Sequence, residues 1–269
     1  MPMNDPVDTC GGIQTVSAQD VTPESGIACP LTIINATPAA LWREIRDACD
    51  DALGQGHAFV AILHRMEAFA DECFLADEDR QRAARYRQAG DRHNFVLGRN
   101  LVHHVVRPRG MSTPCSVSIG PHGKPFLPNA PAYNVSHSGR WVACAVSRDE
   151  PVGIDVETFA RIQDYRDLLA VITHPAERRY IEQAPPDQRL ALFKRCWTRK
   201  EAILKATGEG LSGHLHAIDV CLQRNEPVLN HPALLRLMHL TADQAEAAIA
   251  LALNPSVPAV VAMFVGEPC

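Results

Sequence analysis

The sequence has no C-x-x-C pair, no apolar run near the ~20 residues that cross a bilayer, no excess of basic charge, no P-loop and no fixed-period repeat. Each absence removes a class of protein. The nine cysteines, at 10, 29, 49, 73, 115, 144, 196, 221 and 269, are odd in number and scattered, unlike a zinc ribbon or a disulfide scaffold. The longest uninterrupted apolar runs, Ala247–Leu253 and Ala259–Val265, are too short for a membrane span. The first basic residue is Arg43 and no apolar segment precedes it as in a secretory signal, so a reducing cytoplasm is the expected setting. A formal net charge of −5 provides no global field for nucleic acid, and any phosphate must be met by a local basic cluster.

What remains is a chain of 269 residues, 46% hydrophobic and 21% charged, able to bury one large core or two of ~100–150 residues each. Residues 1–37 mix Pro, Gly, Ser, Thr and acids without an amphipathic period and read as a leader or loosely packed extension. From Pro38, Leu41, Ile45, Cys49 and Leu53 recur at helical spacing until Gly54 and Gly56 stop them. His57–Leu63 reads as a buried strand. The arginine-rich stretch Ala76–Val106 reads as two helices broken at Gly90. Ser116–Ile119, Tyr133–His137, Trp141–Val146 and Val152–Val156 are short β-like runs. Pro185-Pro186-Asp187 opens a helix through about Ala206, with Gly208 and Gly210 as terminators. Beyond it, Ala217–Leu222 and Val257–Val265 read as strands around a short helix. The expected fold class is α+β, divided into an N-terminal half (38–150) and a C-terminal half (151–269).

Three constellations carry chemistry. In Gly153-Ile154-Asp155-Val156-Glu157 the period of a strand puts Asp155 and Glu157 on one face and Ile154 and Val156 in the core. Two unscreened carboxylates about 6–7 Å apart repel by roughly 2.5 kcal/mol at an effective dielectric of ~20, so a positive partner is expected, and Mg²⁺ bridging to phosphate fits that need. D-x-E alone favours the plainer reading of a strand end with solvated acids. In the helix, Leu190, Phe193, Trp197 and Leu204 form an apolar stripe with Glu201 on its edge, and Glu201 and Lys205 are i,i+4 neighbours. As an isolated pattern that is a surface ion pair. Beside a strand bearing two acids it can hold a metal, take a proton and neutralise a leaving phosphate.

The third constellation is Gly123-Lys124-Pro125 with Asn134-Val135-Ser136-His137-Ser138-Gly139, where a stiffly held lysine and strand-end Ser and His side chains suit a phosphate. Nucleophilic catalysis by Ser136 with His137 is disfavoured, because adjacent strand residues face opposite ways. His103 and His104 read as packing or solvent-facing residues. His214 and His216 alternate as on a polar strand, with no third zinc ligand nearby in sequence.

GKP, NVSHSG, VGIDVE and FKRCWTRKEAILKATGEGL, in that order and spacing, resemble the signature of the larger, surfactin-synthetase-activating type of 4′-phosphopantetheinyl transferase, from about His57 to Val265. The segment ADEDRQRAARYRQAGDRHNFVLGRN resembles the family's helical region before the first motif. The resemblance implies two similar α+β halves related by pseudo-two-fold symmetry, with the active site in the cleft between them. It implies that Asp155, Glu157 and Glu201 hold Mg²⁺ against the pyrophosphate of coenzyme A. Lys205 would contact that phosphate and assist departure of adenosine 3′,5′-bisphosphate, and Lys124, Ser136 and His137 would bind the nucleotide end. A basic residue the family often uses for the 3′-phosphate falls at Asn94, where Arg92 or Arg99 would substitute. A serine of an apo acyl or peptidyl carrier protein would attack, with Glu201, or next Glu157, accepting its proton. The implied protein is a monomer without nucleic-acid or membrane partners. A silent relative that binds coenzyme A or a carrier without turnover is the alternative, and a Mg²⁺-dependent nucleotide hydrolase is a third reading that lacks a P-loop.

Overall fold

The computed structural model describes residues 14–17, 27–29, 32–33, 37–64, 69–111, 114, 116–120, 122–158, 165–210, 215–223, 235–242 and 247–266. Most of the expected leader, together with His214, lies outside them.

Helix α1 (Pro38–Gly54) starts where Thr37 accepts a hydrogen bond from the Ala40 amide and Pro38 presets the first turn. It buries Leu41, Ile45, Cys49 and Leu53, and the chain reverses at Gly56 with φ +78° into strand β4 (Ala58–His64). Helices α2 (Asp77–Ala83) and α3 (Ala89–Leu101) follow, the latter running into a π-helical turn at Val102–Val106. The break expected at Gly90 falls at 84–88 instead. Gly90 occupies the first turn of α3, where amides have no intrahelical partner to lose.

After the short strands β1 (Gln14–Ser17), β2 (Ile27–Cys29) and β3 (Thr32–Ile33) near the start of the chain, the central strands are β5 (Ser118–Ile119), β6 (Pro125–Phe126), β7 (Ala132–Ser138), β8 (Trp141–Ser147) and β9 (Val152–Thr158). Helices α4 (Tyr165–Ile172), α5 (Pro175–Gln183) and α6 (Pro186–Thr207) come next, and α6 closes on Gly208 in the left-handed region at φ +77°.

Two expectations fail beyond α6. Residues 217–222 are not a strand: a 3₁₀ turn covers Leu215–Ala217, including His216, and Cys221 adopts φ +45°, which a strand does not allow. Where a short helix was expected, the described residues form strands β10 (Arg236–Ala242) and β11 (Ala247–Leu253), before β12 (Ala259–Gly266). Strand β11, Ala-Ala-Ile-Ala-Leu-Ala-Leu, is buried at every position, so no polar face marks its period.

The strands form two main sheets, ordered β1-β12-β4-β8-β7 with β3 also on β12, and β2-β10-β11-β9. In the first, β4 and β12 are parallel and β8 is antiparallel to β4. One core lies between the sheets, where Val60, Ile62 and Ala143 meet Ile154, Val156 and Ile249. A second packs α1 and α3 on the outer face of the first sheet through Leu41, Leu97, Phe59 and Cys144. A third packs α4–α6 on the outer face of the second through Phe193, Ile203, Ala250 and Ala252. The result is a helix, sheet, sheet, helix stack of the α+β class in which β4, β8, β11 and β12 are covered on both faces. No helix among the described residues is long and apolar enough to cross a membrane.

Candidate active site

Strand β7 ends the first sheet and β9 ends the second, and the two edges run alongside one another. Three alternate side chains of β7 stand in for a backbone ladder. Asn134 Oδ1 accepts from the Ile154 amide at 2.9 Å, Ser136 Oγ from the Val156 amide at 3.3 Å and Ser138 Oγ from the Thr158 amide at 3.2 Å. The strand period of two puts all three on one side, and they satisfy edge amides of β9 that burial would otherwise leave unpaired. The N-x-S-x-S pattern is therefore a seam between sheets.

Helix α6 lies directly on the outer face of β9. Its closeness depends on Gly153, where a Cβ would collide with the carbonyl of Ala202 and the backbone of Ala206. Lysines fasten both ends of β9: Lys124 donates to the Val152 carbonyl at 3.2 Å and the Ala206 carbonyl at 2.9 Å, and Lys194 donates to the Thr158 carbonyl. This docking carries Glu201 and Lys205 to Asp155 and Glu157. Helix α6 is also more enclosed than a single apolar stripe suggests, since Lys194, Thr198, Arg199 and Lys200 are buried along with Phe193 and Leu204. Lys200 is paired with Glu177 at 2.7 Å and donates to the carbonyls of Ile172 and Leu215.

Asp155 is 3% exposed. Its Oδ1 accepts from Ser136 Oγ at 2.9 Å and from Lys205 Nζ at 2.5 Å, and Lys205 also donates to Ser136 Oγ at 3.0 Å. Glu157 accepts from Ser138 Oγ at 3.0 Å. Lys205 is the ammonium bonded to Asp155, and the Lys194 charge also reaches Glu157. All three carboxylates, Glu201 included, have raised pKa values: burial is the main cause in each, and the Asp155 charge adds to it for Glu157 and Glu201, while Lys205 works the other way. Asp155 Oδ2 and Glu201 Oε1 are buried without any hydrogen-bond partner. Two orphaned carboxylate oxygens in a site of residual negative charge suit a hard cation, and these donors are the oxygen ligands that Mg²⁺ takes. Among the described residues, however, no three His, Cys, Asp or Glu side chains already stand in a metal-holding arrangement.

The other candidate residues are distributed around this cluster. Ser136 Oγ gives one bond and receives two, which fills its capacity within the protein. His137 points from the opposite side of β7 and is exposed. Partial desolvation first, then the Lys205 charge, lower its pKa, with Asp91 of α3 opposing. Lys124 sits at the far end of β9 beside a cavity of ≈ 570 Å³ lined also by Tyr133, Arg148, Thr207 and Gly208, and burial lowers its pKa to about 8. The structure commits Arg92 to Glu72 at 2.5 Å and Arg99 to Asp79 at 3.0 Å, both carboxylates of the preceding helical segment. Asn94 is buried and donates to the Gly139 carbonyl at 3.0 Å, holding the β7–β8 turn. His103 and His104 pack among Phe74 and Trp42, the His104 ring stacked on Trp42 at 4.7 Å.

Sequence reasoning did not single out Ser138, whose hydroxyl donates to Glu157. Ser138 was detectable as the third member of an i, i+2, i+4 polar series on β7.

Residues 151–252 match the family model of the 4′-phosphopantetheinyl transferase superfamily. This span contains β9, α6 and β11, and with them all four members of the carboxylate–lysine cluster. A 4′-phosphopantetheinyl transferase of Bacillus subtilis is 32% identical over 153 residues, 55% of this chain and 67% of its own length. The transferase Sfp of Bacillus subtilis strain 168 is 31% identical over 170 residues, 58% of this chain and 70% of its own. HetI of Nostoc is 31% identical over 187 residues, 66% and 78% respectively. By these similarities this chain belongs to the 4′-phosphopantetheinyl transferase superfamily of enzymes.

Proposed function

We propose that this chain transfers the 4′-phosphopantetheine arm of coenzyme A to a serine of an apo acyl or peptidyl carrier protein, releasing adenosine 3′,5′-bisphosphate in a Mg²⁺-dependent reaction. One observation carries the reading. Asp155 Oδ2 and Glu201 Oε1 are buried, unpartnered carboxylate oxygens beside Glu157, in a cluster whose Asp155 is bonded by the Lys205 ammonium. Asp155, Glu157 and Glu201 would hold Mg²⁺, which when bound neutralises charge developing on the diphosphate.

The chain's own residues supply the rest. Lys205, 28% exposed, would leave Asp155 for the bridging phosphate and stabilise the departing bisphosphate. Burial biases the Glu201 carboxylate toward accepting a proton, which suits a base for the carrier serine, with Glu157 as the next candidate. The serine oxygen bonds to the β-phosphorus as the bond to the leaving phosphate breaks. His137, Ser136 and Lys124 are proposed at the nucleotide end, with Arg92 or Arg99 released from its carboxylate to join them. Because one chain supplies every group in the cluster, the reading carries a monomer with it, acting in the cytoplasm. The two-half architecture, with its boundary near 150 and the site in the cleft, belongs to the same proposal.

The test is the mass of an apo carrier incubated with this protein, coenzyme A and Mg²⁺. A gain of one phosphopantetheine arm, with stoichiometric release of adenosine 3′,5′-bisphosphate, is expected. Binding of coenzyme A with no mass gain across a panel of carriers would favour the silent relative instead.

A further inference from the structure

We propose that Lys205 is the built-in counter-cation of this site and excludes a divalent metal from it until a diphosphate draws the ammonium away. The proposal rests on the transferase reading above and concerns how its site is loaded. Lys205 reaches across from α6 to Asp155 Oδ1 at 2.5 Å and Ser136 Oγ at 3.0 Å, although its own helix neighbour Glu201 is one turn away. It occupies the one Asp155 oxygen that the serine also fixes, leaving Oδ2 and Glu201 Oε1 as the free donors.

The consequence is electrostatic. A metal approaching those two free oxygens meets a positive charge already seated on the same carboxylate, and like charges at such separations repel strongly where water is scarce. Removing the ammonium would leave Asp155, Glu157 and Glu201 mutually repelling and uncompensated, which raises their demand for another cation. A diphosphate does the opposite to Lys205: it offers the ammonium a second anion and brings oxygen ligands with it. Metal and diphosphate binding are then positively coupled, and part of that coupling passes through Lys205. The side chain is 28% exposed, so its ammonium is open to an anion arriving from solvent.

The experiment is Mn²⁺ binding to the protein without coenzyme A or carrier, read from the electron paramagnetic resonance signal of free Mn²⁺. Lys205→Met is expected to bind Mn²⁺ at least about tenfold more tightly than wild type, while Lys205→Arg, which keeps the charge, stays within about threefold. Inorganic pyrophosphate should tighten Mn²⁺ binding more in wild type than in Lys205→Met. Equal or weaker binding by Lys205→Met, including no binding by either protein, overturns the proposal. Should that variant not fold, ¹⁵N-lysine spectra of wild type decide: the Lys205 ammonium signal moves on adding Mg²⁺ with pyrophosphate and holds with the same Mg²⁺ alone. Displacement by Mg²⁺ alone overturns the proposal. A failure of the transferase reading registers separately, as a carrier that gains no mass, since neither measurement contains a carrier.

Discussion

Lys205 Nζ lies 2.5 Å from Asp155 Oδ1, so the ion pair of this helix crosses to strand β9 and is not made with Glu201. The i,i+4 spacing of Glu201 and Lys205 places them on the same face, but a buried carboxylate on a neighbouring strand is the stronger attractor, because its charge is less screened. Glu201 is left with an unpartnered buried oxygen as a result. The arrangement depends on both the sheet seam and the helix docking, and each can be tested alone.

Ser136→Ala removes the seam's central bond. It leaves the Val156 amide without an acceptor and takes a donor from Asp155, both buried, so a stability loss of about 1–3 kcal/mol is expected. Urea unfolding measures it. A loss near zero would mean that water replaces the hydroxyl and that the seam contributes little.

Gly153→Ala tests the docking of α6. A methyl group there meets the backbone of Ala202 and Ala206, which cannot rotate out of the way, so overpacking should cost about 1–3 kcal/mol or more. Because any relief moves α6 off β9, transferase activity should fall further than the lost stability alone explains. Retained activity with a normal midpoint of unfolding would contradict this docking.

The Lys200–Glu177 pair is a buried charge pair in which every carboxylate contact is made by protein: Glu177 also accepts from the His174 and Val220 amides and from Cys196. Lys200→Met strands that carboxylate, with an expected loss of about 3–5 kcal/mol. The double variant with Glu177→Gln should recover part of the loss. No recovery would show that Lys200 acts through packing.

Among the legible features, α1 was readable because its apolar period agrees with its burial, and β4 and β8 because they are short runs rich in β-branched and aromatic residues, and the D-x-E and E-x-x-x-K spacings identified the four clustered side chains. The seam was not legible, since Asn134, Ser136 and Ser138 bond to a strand in the other sheet and sequence spacing does not report sheet order. Strand β11, buried throughout like β4 and β8, was hidden because its Ala- and Leu-rich sequence has few of the β-branched and aromatic residues that mark those strands. Arg92 and Arg99 could be recognised as basic, whereas their pairing with Glu72 and Asp79 depends on how the 72–99 segment folds back on itself.

The contribution of His103 and His104 to stability should fall as the solution is acidified from about pH 6.5 to 4. Burial first, and neighbouring positive charges second, lower the pKa of His103 and His104 from 6.5 to about 4. In that window the unfolded chain binds protons that the folded one refuses, so the folded state gains stability as pH rises through it. His104→Phe keeps a ring against Trp42 and removes one titrating group. Its midpoint of thermal unfolding should vary less between pH 6.5 and 4 than that of wild type, and an unchanged slope would remove His104 from the effect.

The assignment of chemistry to the carboxylate cluster is tested most directly by the rate at which an apo carrier gains mass with coenzyme A and Mg²⁺, compared between wild type and Glu201→Gln. If Glu201 has the proposed roles of base and metal ligand, its loss should slow the gain by about 10²–10⁴-fold while the variant unfolds at a temperature close to wild type. Modification of the carrier by Glu201→Gln at the wild-type rate would contradict it.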